Sequence, residues 1–397
     1  MRVTPLLTFL LAGASLAQLP FPGDLPGTSI GAGLPLPFEA SGIVWQPLEQ
    51  RLYVVDDGGE LSAMQANGGF VQTWTIGGDL EALAVAPSVN GRVYVGREHP
   101  DAVLEFDPLT GTVLRTFDLT PWLTGATNGG LEGLAFVPDA LDPEGGLFWA
   151  AHQDLGRIYR FRLPILSSAV STTVTFVNSN VPVPGRTDLA ALDFNSVDGS
   201  VYALYDSAGI VSRLDATGAL ISEWLVPGLE TEGIALRGCE LYVAEDQGAV
   251  VTRYTTFPSS ATCAMLSADS SLVDLSSGGT VIHALRAIAP ALPGDVRILL
   301  GSTSGTTPGA IFNGVLVPLV VDGYTQHMLA NPNQGPWSGT LGVFPANGKG
   351  VALLTLPAGS SPALAGLSFD HALVVLRTTP TVTVVAASAP QHLMLVP

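Results

Sequence analysis

A pair of short apolar strands recurs five times between residues 41 and 246, and this repeat restricts the fold more than any other feature of the chain. The clearest copy is Thr231-Glu232-Gly233-Ile234-Ala235-Leu236, a turn, then Leu241-Tyr242-Val243-Ala244-Glu245-Asp246. Leu131 to Phe136 with Leu147 to His152, and Leu80 to Val85 with Val93 to Glu98, follow the same plan. Ser41 to Trp45 with Leu52 to Asp57, and Ala190 to Phe194 with Val201 to Asp206, are weaker copies. One aromatic marks each second strand: Tyr53, Tyr94, Phe148, Tyr202 and Tyr242, at spacings of 41, 54, 54 and 40 residues. That is the length of a four-stranded propeller blade, with insertions in two copies. Turn signals such as Asn90-Gly91 and Asp198-Gly199 separate the paired strands, where a tight hairpin needs positive φ.

The expected architecture is all-β: a β-propeller over residues 41–263 followed by a small β-sandwich over 264–397. Gly 45 and Pro 30 are high, and Lys349 is the only lysine, so exposed helical faces have little to build on. Five blades are visible, and the last lacks an outer strand after Tyr254. The Pro- and Gly-rich segment 18–40 either closes that blade or belongs to a sixth. Residues 1–17 read as an export signal: Arg2, an apolar run from Leu6 to Ala12, and Ser15-Leu16-Ala17 before the cut. No later run has the length and apolarity of a membrane span, which points to a secreted, soluble mature chain. In an exported protein Cys239 and Cys263 make a plausible disulfide.

Charge is unevenly placed. Only five of the 34 acidic residues and four of the 16 basic ones lie from Ala264 onward, so nearly all of the net charge of −18 belongs to the first domain. Such a surface disfavours nucleic acid and anionic membranes and attracts cations. Antiparallel pairing brings the start of each innermost strand and the end of the second strand to one face. Glu81, Glu132 and Glu232 stand at the first point; Asp57, Glu98, His152, Asp206 and Asp246 at the second. Carboxylates crowded at one channel mouth raise one another's pKa, and a calcium ion with its six to eight oxygen ligands removes that cost. The alternative for each is structural: a staple to a neighbouring blade's amides, or a solvated loop acid. His152, beside Asp154, is a candidate general acid or base. Gly27-Thr28-Ser29-Ile30-Gly31 matches a nucleophile-elbow pattern but lacks the strand–turn–helix context that pattern needs.

The "EGIAL…LYVAEDQ" and "LEGLAF…GLFWAAHQD" repeats resemble the SdiA-regulated family of exported bacterial propellers and, more distantly, the phytase-like and esterase-like propellers, over about residues 40–257. Ser41 and Ala190 depart from the acidic consensus. The phytase-like resemblance implies that Arg97, Arg157 and Arg186 hold an anionic substrate group bridged by calcium. The segment from 266 on, with "LGSTSGTTPG" and "LTLPAGSSPALAGLSFDHALVVL", resembles a C-terminal module of exported proteins of planctomycete-like bacteria and implies an accessory role. Three functions compete: a calcium-binding propeller that engages a small-molecule or protein ligand; a metal-dependent hydrolase of a phosphoester, ester or lactone using His152 and Asp206; and an architectural surface scaffold.

Overall fold

The computed structural model describes residues 19–23, 25–125, 129–255 and 257–397; the segment read as an export signal lies outside them. Five four-stranded antiparallel sheets form the first part. Blade 1 comprises Ala40–Gln46, Arg51–Asp56, Glu60–Met64 and Gln72–Thr75. Blade 2 comprises Asp79–Val85, Val93–Glu98, Ala102–Asp107 and Thr112–Asp118. Blade 3 comprises Leu131–Pro138, Gly146–His152, Arg157–Arg162 and Thr175–Asn180. Blade 4 comprises Leu189–Asn195, Ser200–Tyr205, Ile210–Leu214 and Leu220–Leu225. Blade 5 comprises Thr231–Arg237, Glu240–Glu245 and Val250–Tyr254. Each innermost strand packs against the innermost strands of two neighbours, and that of blade 5 returns to that of blade 1. The ring therefore closes at five blades.

The missing outer strand is Thr28–Ser29, which pairs antiparallel with Val250–Tyr254, Thr28 opposite Arg253 and Ser29 opposite Thr252. The nucleophile-like Gly27–Gly31 motif is thus the clasp that joins the two ends of the ring. Its glycines have a steric reason: a Cβ on Gly31 would collide with the Ala249 carbonyl, and one on Gly27 would strike the Tyr254 ring. Without this strand blade 5 would present an unpaired edge.

Every innermost strand carries a β-bulge near its start, at Ser41, Glu81, Glu132, Ala190 and Glu232. The next residue is always small: Gly42, Ala82, Gly133, Ala191 and Gly233. At Gly42 a Cβ would come within 2.6 Å of the Glu81 carbonyl oxygen, and at Gly133 within 2.9 Å of the Ala191 carbonyl carbon. A ring of only five blades brings backbones this close, so the bulge sends one side chain into the mouth and the following position has no room for bulk. Between blades, aromatic rings lock the wedges together: Trp74 of blade 1 meets Phe106 of blade 2 edge-on at 5.4 Å, and Tyr94 of blade 2 meets Phe148 of blade 3 edge-on at 4.7 Å.

The blade 3 register differs from the sequence alignment. Ala135 pairs with Trp149, as Ala84 pairs with Tyr94 and Ala235 with Tyr242, so Trp149 rather than Phe148 is the equivalent aromatic. A slip of one residue turns every side chain of a strand to its other face. His152 consequently pairs with Leu131, the position of Glu245 opposite Thr231, and Gln153 takes the place held elsewhere by Asp57, Glu98, Asp206 and Asp246.

The second part has two facing sheets. One runs in the order Leu266–Ala268, Gly279–Arg286, Lys349–Leu356, Trp337–Ser338. The other runs Leu272–Asp274, Gln391–Val396, Ser368–Arg377, Val296–Ser302, Leu341–Val343, with Thr383–Ala387 also paired to Ser368–Arg377. Their inner faces enclose one core that includes Leu285, Leu299, Leu373, Val375 and Leu393. Ala310–Phe312 and Val315–Val317 form a short separate hairpin, and a helix spans Gly323–Ala330. A Cys239–Cys263 disulfide with Cα atoms 5.4 Å apart ties the last propeller hairpin to the short helix Ala261–Ala264 that leads into the sandwich. Among the described residues no helix is long and apolar enough to cross a membrane.

Candidate metal centre at the propeller mouth

The bulges and the ends of the second strands meet in one cavity of ≈ 210 Å³, lined by Ser41, Asp57, Asp79, Glu81, Glu98, Glu132, Gln153, Glu232 and Asp246. All six residues assigned from sequence as metal ligands are therefore brought together. Blade 4 contributes nothing to the lining: its bulge residue is Ala190, and Asp206 turns away. The Asp206 carboxylate accepts from the Thr231 amide at 2.6 Å and the Thr231 hydroxyl at 3.2 Å, clamping blade 4 to blade 5.

The carboxylates of this face divide into two kinds. Asp206 is a staple. So is Asp101, which accepts from Leu131 N at 3.1 Å, and so is one oxygen of Glu98, which accepts from Gly129 N at 2.7 Å and Gly130 N at 2.6 Å. By contrast, Glu132 and Glu232 make no hydrogen bond or ion pair with any described residue, and Glu81 shares a hydrogen bond only with Asp79. Buried carboxylates ordinarily have partners, because desolvating an unpaired charge is expensive. Burial is the first reason that Glu81 and Glu132 are pushed far above the ordinary glutamate range, and neighbouring carboxylates add to it: Glu132 acts on Glu81, and Glu98 on Glu132. Glu232 is raised to about 8 by burial and then by Asp206, Asp246, Asp188 and Glu230. Asp246 is also raised, by burial and by Glu39.

This donor set fits a hard divalent cation. The lining offers carboxylate, hydroxyl and amide oxygens drawn from four blades, and no sulfur, arginine or lysine among the described residues. Calcium takes such ligands with loose geometry. A cation would also relieve the mutual repulsion that now favours protonation.

The other residues assigned from sequence lie elsewhere. His152 is fully buried; its Nε2 meets the Thr124 carbonyl at 3.2 Å and its ring lies 6.2 Å from that of Tyr159. Arg97 donates to the Pro100 carbonyl at 3.4 Å, and Arg157 to Ser179 Oγ at 3.1 Å. Arg186 is ion-paired with Glu223 and lies over the Tyr205 ring, 5.0 Å from its centroid. None of the four lines the cavity.

Two features escaped the sequence reading. Gln153 lines the mouth and was hidden by the register slip. His99 follows Glu98 in a left-handed turn, φ 42°, and joins Asp79 and Glu98 in a group whose ligand atoms all lie within 4.8 Å of one another. At the opposite end of the channel a cavity of ≈ 270 Å³ is mostly apolar, lined among others by Trp45, Phe136, Phe194 and Leu236. Asp193 intrudes there, where the other blades carry Val44, Ala84, Ala135 and Ala235. Burial raises it to about 7 although it accepts from Leu236 N at 2.6 Å, a further staple between blades 4 and 5.

Residues 48–197 match the family described as "Phytase-like: Esterase-like activity of phytase". The match takes in Asp57, Glu81, Glu98, Glu132 and Gln153 and leaves out Glu232 and Asp246. No curated protein matches the chain in sequence. Among solved structures, Myxococcus xanthus glutaminyl cyclase is 11% identical with a TM-score of 0.40, covering 55% of this chain and 90% of its own. The calcium-binding protein regucalcin from Agrobacterium tumefaciens strain C58 is 15% identical with a TM-score of 0.38, covering 60% and 97%. A Bacteroides thetaiotaomicron protein of unknown function is 12% identical with a TM-score of 0.40, covering 61% and 75%. These likenesses carry no argument about activity. Over residues 48–197, from the first hairpin of blade 1 into blade 4, the sequence is thus similar to the phytase-like family.

Proposed function

We propose that the acidic mouth is a divalent-cation site with calcium as the preferred ion, and that the loaded mouth engages a small-molecule or protein ligand of an exported protein. The observation that supports this most is the pair of carboxylates, buried Glu132 and half-buried Glu232, that share one cavity with Glu81 and have no hydrogen-bond or ion-pair partner among the described residues. The Cys239–Cys263 disulfide accords with an oxidising compartment. Thermal unfolding in EDTA and then in calcium tests the reading. Calcium at about a hundred times its Kd adds about 2.7 kcal/mol of stability. Glu132→Gln and Glu232→Gln should reduce that gain. No calcium shift in the parent protein would leave the mouth as a structural feature of a scaffold.

A second reading is favoured by the family match: a metal-dependent hydrolase of a phosphoester, ester or lactone. When bound, the ion would supply an activated water. Glu81, Glu132 and Glu232 would hold the ion, and the open mouth would admit the substrate. p-Nitrophenyl phosphate, p-nitrophenyl acetate and a γ-lactone, each assayed with calcium or manganese, test it. Turnover no greater than that of Glu132→Gln would overturn it.

A further inference from the structure

We propose that Asp79, Glu98 and His99 form a second and chemically different metal position at the edge of the mouth, one that takes a transition-metal dication such as zinc or manganese. Asp79 and Glu98 are direct partners across the first two strands of blade 2. His99 follows at once, and its left-handed backbone folds the imidazole back toward the Glu98 carboxylate. Glu98 Oε2 and His99 Nδ1 are 3.2 Å apart. That is the separation of neighbouring ligand atoms around an ion with bonds of about 2.0–2.1 Å.

The surroundings hold this geometry. Gly129 and Gly130 donate their amides to Glu98 Oε1, which fixes the carboxylate and leaves Oε2 toward His99. The loop can approach so closely only because these residues are glycines: a Cβ on Gly130 would come within 2.5 Å of Asp101 Oδ1. The same cavity supplies a further carboxylate beside this group. Glu132 is 7% exposed, has no partner among the described residues, and shares the cavity with Glu98, whose charge it feels more than any other.

Imidazole separates this position from the centre of the mouth. Calcium prefers oxygen ligands, whereas zinc, manganese and their neighbours accept imidazole nitrogen. Three protein ligands leave a coordination position open, as in metal sites that bind a substrate or water. The His99 side chain is 44% exposed, so the open position is reachable from solvent. Asp79, hydrogen-bonded to Glu81, links the two positions. The inference extends the cation-binding reading to a second ion, and the two fail separately.

Cobalt(II) is the probe, titrated into the full-length mature protein in excess calcium and followed by its visible d–d absorption. The parent protein should bind one cobalt ion with an imidazole in its coordination sphere. His99→Asn, which tolerates the left-handed turn, should weaken cobalt binding roughly tenfold or more, equivalent to about 1.4 kcal/mol, while calcium stabilisation persists. Glu232→Gln should lose calcium stabilisation and retain cobalt. Unchanged cobalt affinity in His99→Asn would overturn the second position, as would complete displacement of cobalt by calcium. Calcium stabilisation without any cobalt signal would sink this inference alone; the absence of both would sink the cation reading with it.

Discussion

The propeller and the sandwich solve the burial of polar groups in opposite ways. The propeller encloses acids: Glu132, buried between half-buried Glu81 and Glu232, at one end of its channel and buried Asp193 at the other. The sandwich buries histidines. His283 and His371 are both fully enclosed with rings 5.5 Å apart, and a chain from Trp337 Nε1 through Tyr324 Oη, 3.0 Å, reaches His371 Nε2 at 3.3 Å. Burial raises the acids and lowers the histidines, His283 to about 4. The acids converge from several blades on one opening, as a ligand site requires. The histidines sit between two sheets with rings packed around them, as a structural core does. Enclosure of titratable groups thus carries a functional implication in the propeller, where the acids share an open cavity.

The largest test of this division removes the disulfide cross-link at the junction of the two regions. Their apolar cores are separate clusters, and the disulfide closes a loop with a sequence separation of 24 at their junction. A loop of that length is worth about 3 kcal/mol in the chain-entropy account. Cys239→Ser with Cys263→Ser should lower the propeller's transition in calorimetry by that order and pull it away from the sandwich's. A single unchanged transition would show that the regions unfold as one unit and break the comparison.

Next in size is the closeness of the ring. Gly42→Val forces a side chain against the Glu81 carbonyl, and overpacking of this kind costs about 1–3 kcal/mol. In the sandwich Gly323 begins a helix and a Cβ there meets nothing within 4 Å, so Gly323→Ala should be neutral or stabilising by up to about 1 kcal/mol. Urea unfolding measures both. Equal effects would mean that the five-blade closure is not as tight as the bulge geometry requires.

The two regions should also respond to pH with opposite signs. Glu232 has a folded pKa, about 8, above its unfolded value. Its contribution is complete below about 4.5 and is lost as pH rises toward 8. His283 has a folded pKa below its unfolded value; its contribution is complete above about 6.5 and is lost as pH falls toward 4. Each group changes stability by at most about 1.4 kcal/mol per pH unit within its window. In EDTA, the propeller's transition should therefore fall on the alkaline side and the sandwich's on the acid side. Glu232→Gln should flatten the first slope and His283→Leu the second. Parallel slopes would remove the contrast.

The sequence made the acid mouth legible because each glutamate sits at a fixed place in a repeated strand, and the strand pairing alone brings those places to one face. It hid His152's true position because Phe148-Trp149 offers two adjacent aromatics, either of which satisfies the repeat, and the longer hairpin after Pro138 removes the turn that would set the register. The closing strand was reduced to an open choice because two residues, Thr28–Ser29, carry no periodicity. His99 was missed since no ligand spacing announces it; a left-handed turn places it. Acids that staple blades and acids that line the cavity look alike in sequence: Asp206 accepts the Thr231 amide of the next blade, whereas Asp246 at the same place in its repeat lines the mouth.

The smallest expected effect sharpens the comparison from the sandwich side. Asp322 is the one acid there that organises a helix: Oδ1 accepts from Thr325 N at 2.9 Å, and Oδ2 from Thr303 N at 2.7 Å and Ser304 N at 3.0 Å. These amides hold its carboxyl well below the ordinary aspartate range, the reverse of the mouth glutamates. Asp322→Ala takes the carboxylate from Thr325 N and Thr303 N, while Ser304 N keeps Ser302 Oγ, and it removes a capping box, a loss of about 1 kcal/mol that Asp322→Asn should restore in large part. Because the group stays ionised through the range in which Glu232 and His283 titrate, the loss should be the same at pH 5 and pH 8. It should also leave calcium stabilisation unchanged. A loss that varied with pH, or one that altered the calcium response, would mean that the sandwich and the mouth are coupled through contacts other than the disulfide.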